Sequence, residues 1–191
     1  MRAAVRARRA ALVLGTALLG TTLPGAVGPA AAVEPQSAAL PGAAAPKLAL
    51  AGCAARRFLL FPVYDLRLYL PQRPASEAAA FDPRTPKAVE LTVTYPGNVP
   101  GRMPGSWRTR FEERRLAPAL IADLDRLYQN LRGGDVLAIE YRPGRGSVVR
   151  LNTVTQTVDP GPALIEALLD IWIGPRALNQ DIRTQLLSGR C

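Results

Sequence analysis

From Gly52 to Leu70 the chain alternates with a period of two, which predicts one long β-strand. One face of that strand carries Arg56, Phe58, Leu60, Pro62, Tyr64, Leu66, Leu68 and Leu70; the other carries Arg57, Leu59, Phe61, Val63, Asp65, Arg67 and Tyr69. The first face is apolar except for a guanidinium near one end and a phenol eight residues on. A cation and a hydroxyl on an apolar surface suit a pocket for an amphipathic anion. The same pattern also fits a strand that leaves solvent at Arg56 and buries a core tyrosine at Tyr64. Pro62 predicts an edge position or a bulge, and a bulge would change the phase between Arg56 and Tyr64.

Further along, Ser76 to Ala80 predicts a short helix and Ala88 to Tyr95 an alternating strand. A proline- and glycine-rich stretch from Pro96 to Gly105 predicts an irregular loop. Ser106 is the expected N-cap of a helix that pairs Trp107 with Phe111 at i,i+4. A second helix places Leu120, Ile121, Leu124, Leu127, Tyr128 and Leu131 on one face and stops at Gly133-Gly134. Strands over Val136 to Tyr141 and Ser147 to Leu151 flank a turn-rich Arg142 to Gly146, and a short third strand covers Val154 to Val158. Leu164, Ile165, Leu168, Leu169 and Trp172 form the buried stripe of a helix ended by Gly174-Pro175, and a last helix covers Asn179 to Leu187. This order predicts an α+β fold with an antiparallel sheet.

The N-terminus follows a different rule. Arg2, Arg6, Arg8 and Arg9 precede an apolar run from Ala10 to Leu23, and small residues follow at Ala30 to Ala32. That is the order of a secretory signal peptide, expected over residues 1–32, with an uncleaved anchor as the other reading. Residues 33–46 read as an Ala/Pro-rich linker, and 47–191 as the folded domain. The mature protein is expected in the periplasm or outside the cell. Losing four of 24 basic residues and none of 15 acidic ones takes the formal charge from +9 to +5. A modest, scattered excess without a binding motif argues against a nucleic-acid partner.

The chemical inventory is thin. With no histidine and two cysteines there is no metal site to build, no phosphate loop is present, and no cofactor is expected. In an oxidising compartment Cys53 and Cys191 are expected either to pair or to be kept free deliberately; a bridge would tie the last helix to the sheet. Leu50-Ala51-Gly52-Cys53 has the form of a lipid-acylation box but lies behind a complete signal peptide, so it reads as a coincidence of sequence.

Gly52 to Arg56, leading to a strand end at Leu68-Tyr69-Leu70, resembles the Gly-x-Gly-x-Arg strand and Tyr-Leu end of chalcone isomerase-like proteins. The resemblance continues at Gly134-Asp135-Val136, Tyr141, Pro143 to Gly146, and Ile171-Trp172-Ile173-Gly174, covering roughly Leu48 to Leu187. The ordered set looks like a secreted bacterial branch of that family. It implies an open-faced β-sandwich, one large antiparallel sheet covered by a layer of helices, with a ligand cleft between. In the plant enzyme of this family a phenolate adds to an enone within one molecule. The resemblance places the nucleophile-holding arginine at Arg56, the enolate-stabilising threonine at Tyr64, the corresponding tyrosine near Met103, and a substrate-contacting hydroxyl at Ile171. Losing those hydroxyls removes an electrostatic contribution such catalysis depends on. Fatty-acid-binding relatives pair the arginine with a tyrosine, as Arg56 and Tyr64 would here. The expected function is therefore non-catalytic binding of a small apolar carboxylate or phenolate such as a fatty acid. The alternatives are an intramolecular lyase of the chalcone isomerase type and a structural or partner-binding protein with a closed cleft, its protein partner unidentified.

Overall fold

The computed structural model describes residues 47–72, 75–99 and 101–191. The expected signal peptide and the whole of the expected linker lie outside them. Among the described residues six strands form one antiparallel sheet in chain order: β1 (Ala49–Phe58), β2 (Phe61–Leu70), β3 (Lys87–Val93), β4 (Val136–Arg142), β5 (Gly146–Leu151) and β6 (Val154–Asp159). Five helices accompany it among the described residues: α1 (Glu77–Phe81), α2 (Gly105–Glu113), α3 (Pro118–Gln129), α4 (Ala163–Trp172) and α5 (Gln180–Leu187).

The long strand expected from Gly52 to Leu70 is two strands. Phe58 pairs with Phe61, so Leu59 and Leu60 make a two-residue turn, and Leu59 takes a left-handed φ of 53°. Turns of this kind ordinarily carry glycine, asparagine or aspartate, which is why two leucines gave no break in the pattern. Ser106 is likewise not a cap. Pro104 occupies that position and Ser106 lies in the first turn of α2.

The sheet has one buried and one wet face. Leu68, Val89, Ile139 and Val149 are mutual neighbours across four strands and form a buried row. On the opposite face Arg67 pairs with Glu90 at 3.0 Å, and Glu140 pairs with Arg150 at 3.1 Å. Period-two alternation thus sends leucine and valine to the helices and charge to water. The central helix is α4, buried on most of its circumference, from Leu164 to Trp172. Its two acids, Glu166 and Asp170, are one turn apart and both bind Arg114 at the end of α2, at 2.8 and 2.6 Å. This ties the two helices together.

Two features hold the margins. Lys87 is fully buried, and its ammonium donates to the carbonyls of Ala80 and Asp82, at 2.5 and 2.9 Å, closing the C-terminal end of α1. Burial pulls its pKa below the usual lysine value. At the other margin α5 lies on β1, where Gly52 is in contact with the backbone of Leu186. Beyond α5, the Cys53 N–H donates to the Arg190 carbonyl, and Cys53 is bonded to Cys191 with Cα atoms 4.9 Å apart.

Candidate functional site

The hairpin places Arg56 directly opposite Tyr64. The register between β1 and β2 shifts after Arg56, so that Arg57 faces Pro62 while Arg56 faces Tyr64, leaving Val63 as the bulged residue. The Val63 carbonyl accepts from the N–H groups of both Thr94 and Tyr95, at 3.0 and 3.1 Å, which fixes the bulge. Pro62, lacking an N–H, is accommodated beside it. Cross-strand partners project side chains to one face of the sheet. Here that face also carries Leu66 and Leu68, and it looks toward the helices.

Above this pair lies a cavity of about 550 Å³. Its floor is Arg56, Val63 and Tyr64, continued by Tyr95 and Val99 from the loop after β3. The helices roof it with Trp107 from α2, Tyr128 from α3, Ile171 and Trp172 from α4, and Ile182 from α5. At its mouth are Phe58 and Phe61 of the hairpin and Leu178, each more than half exposed. The volume is that of an ordinary small-molecule site, and the cleft is open rather than packed shut.

Trp107 is the hub of the roof. Its ring meets those of Trp172, Tyr128 and Tyr64 edge to face, with centroids 5.6, 6.0 and 6.4 Å away. The Trp172 indole N–H donates to the Tyr64 hydroxyl at 3.3 Å. Burial pushes the Tyr64 pKa up, against smaller downward effects of that hydrogen bond and of the Arg56 charge. Tyr128 is raised by burial as well. Both are therefore neutral phenols at neutral pH. Because the Tyr64 oxygen already accepts from Trp172, its proton is available to donate into the cavity.

Electrostatically the cavity is lopsided. Arg56 is the one charged side chain among the described residues that line it, and no carboxylate faces it. Arg56 is half-buried and takes part in no ion pair among the described residues, whereas Arg67, Arg84 and Arg114 each hold an acid. Among those residues there is also no cluster of side chains suited to a metal ion.

Arg56 and Tyr64 thus share one cavity, and Ile171 lines it too. Met103 does not: it is buried in the core, and its N–H donates to the Asp125 carboxylate. Trp107, Tyr128 and Trp172 look like core residues from their helical spacing. Their aromatic rings with polar tips were the available signal, since a buried indole or phenol needs a partner and a cavity wall supplies one.

An antiparallel sheet with one face under helices, and an apolar cleft between the layers with a single cation in its floor, defines an α+β ligand-cleft domain. A family model described as chalcone isomerase-like matches residues 34–188, and the chain belongs to that family. Its fold is similar to the crystal structure of a fatty-acid binding protein from Arabidopsis thaliana, with TM-score 0.53 and 13% identity over 78% of this chain and 90% of that one. No curated protein matches the chain.

Proposed function

We propose that this protein is a non-catalytic binder of a small apolar carboxylate or phenolate, such as a fatty acid, and acts in the periplasm or outside the cell. The observation that carries this reading is the unpaired Arg56 in the floor of an otherwise uncharged, aromatic-walled cavity. An anionic head there would meet a guanidinium without displacing an internal partner, and would accept the free proton of Tyr64. An apolar tail would run along Trp107, Ile171 and Ile182, gaining roughly 0.8 kcal/mol per buried methylene before the costs of association. The fatty-acid binding function named for the Arabidopsis protein, and the charge–apolar–small order of the N-terminal residues, support the ligand class and the location.

Titration of a fluorescent fatty acid into wild type, Arg56→Ala and Tyr64→Phe tests it. Truncating a desolvated charge partner costs about 2–5 kcal/mol. Since Arg56 is only half-buried, the expected loss is at the low end, about 2 kcal/mol or thirtyfold. Tyr64→Phe removes one neutral donor, worth about 0.5–1.5 kcal/mol. Equal affinity in all three proteins would sink the assignment.

The second reading, an intramolecular lyase, is favoured by Tyr95 and Tyr128, which line the cavity beside Tyr64 and bring further hydroxyls to it. Loss of the absorbance of a hydroxychalcone at a rate above that in buffer, abolished by Arg56→Ala, would select it.

A further inference from the structure

We propose that the tip of the β1–β2 hairpin, Phe58 to Phe61, docks into an anionic lipid surface and brings the mouth of the cavity to the membrane. Seven large apolar side chains are exposed among the described residues, and four of them are these consecutive ones, at 64, 80, 89 and 61%. A fifth, Leu178, stands with Phe58 and Phe61 at the cavity mouth. Exposed apolar groups scattered singly need no explanation; a contiguous patch at the rim of a site does.

The turn itself departs from the rule for its class. A leucine at φ 53° carries backbone strain that glycine would avoid, and its side chain is left in water. Nothing inside the fold is gained by either leucine. Departures of this kind belong at functional positions.

Charge selects the partner. Arg56 and Arg57 flank the tip, no acid lies between Lys47 and Tyr64, and the next one, Asp65, faces Ala55 farther down the hairpin. Large apolar side chains beside an exposed arginine suit an anionic interface, where the apolar groups enter the acyl boundary and the Arg57 guanidinium remains at headgroup level while Arg56 stays in the cavity floor. Phe58 and Phe61 belong to both tip and cavity, so an apolar ligand would pass from lipid to cleft without crossing water. This deepens the reading above, but the docking itself is measured without any ligand.

The test is flotation of the full chain with vesicles of phosphatidylglycerol and phosphatidylethanolamine, and with vesicles of phosphatidylcholine. Wild type is expected to float with the anionic vesicles and at least tenfold less with the neutral ones. Arg57→Gln should weaken anionic binding about fivefold, the usual effect of one basic residue near such a surface. The double variant Leu59→Gly, Leu60→Asn supplies ordinary turn residues, so it should melt at or above wild type while losing at least tenfold in vesicle binding. All variants share residues 1–46, so the difference reports the tip alone. Equal flotation of the double variant and wild type would overturn the proposal, as would equal binding to both vesicle types. A self-association of wild type, abolished in the double variant and unaccompanied by vesicle binding, would overturn it in favour of a second copy. Fatty-acid titration in solution separates the two readings: vesicle binding without fatty-acid binding leaves the docking standing and removes the ligand assignment.

Discussion

Replacing Gly52 with alanine should loosen the whole margin of the fold that carries α5. A Cβ at this position would lie 2.0 Å from the Leu186 carbonyl oxygen, 2.6 Å from its carbon and 3.0 Å from its Cα. Ordinary contact begins near 3.4 Å, so the end of α5 would have to withdraw by about 1.4 Å. The helix is not free to do so. Ile182 and Leu186 are buried, Arg183 donates to the Ile173 carbonyl at 3.0 Å and to Glu77 at 2.6 Å, and the chain beyond is bonded to Cys53. Overpacking of this kind costs about 1–3 kcal/mol, offset by about 0.5–1 kcal/mol because alanine suits a strand better than glycine. The net loss is about 0–2.5 kcal/mol, toward the upper end because the clash is with backbone, and should lower Tm by up to roughly 10 °C in a domain of this size. Ile182, one helical turn before Leu186, lines the cavity, so affinity for a fluorescent fatty acid should fall as well. Calorimetry of Gly52→Ala under oxidising conditions makes the measurement. Gly105→Ala, whose added Cβ would meet nothing within 4 Å, is the control and should melt at or above wild type. Gly52→Ala melting at or above wild type would falsify the close approach.

Two further outcomes are expected. Replacing Cys53 and Cys191 together with serine opens a closure of 138 residues, for which loop entropy sets a ceiling of about 5 kcal/mol. A fall of about 2–5 kcal/mol in urea unfolding is expected, and an unchanged midpoint with unchanged slope would count against the bond. Tyr64, whose folded pKa is raised above its ordinary value of 10.0 by burial, contributes stability that is present below pH 10 and lost as pH rises beyond it, because only the unfolded chain ionises there. Tyr64→Phe should therefore lose less stability than wild type between neutral pH and pH 11; parallel curves would show that the phenol is not shielded.

The hydrophobic pattern by itself determined most of the elements and their type. Period-two alternation marked β3, and a strong turn sequence separated β4 from β5. Apolar stripes at helical spacing marked α3 and α4 because a helix must bury one face. A cation and a phenol on an otherwise apolar face singled out Arg56 and Tyr64, and the resemblance to the chalcone isomerase-like family added to that reading. Tertiary structure decided how those residues meet. Residues eight apart in one strand would stand far from each other; a turn at Leu59-Leu60 and a bulge at Val63 make them opposite partners. The turn was not legible, because leucine carries no turn signature; Pro62 pointed to an edge position or a bulge, but the place of the bulge at Val63 is set from outside the strand, here through the amides of Thr94 and Tyr95. The aromatic roof was hidden for a related reason. Trp107, Tyr128 and Trp172 keep the spacing of core residues, and whether such a face packs against side chains or encloses a cavity depends on the separation of the layers, which one element's sequence does not encode.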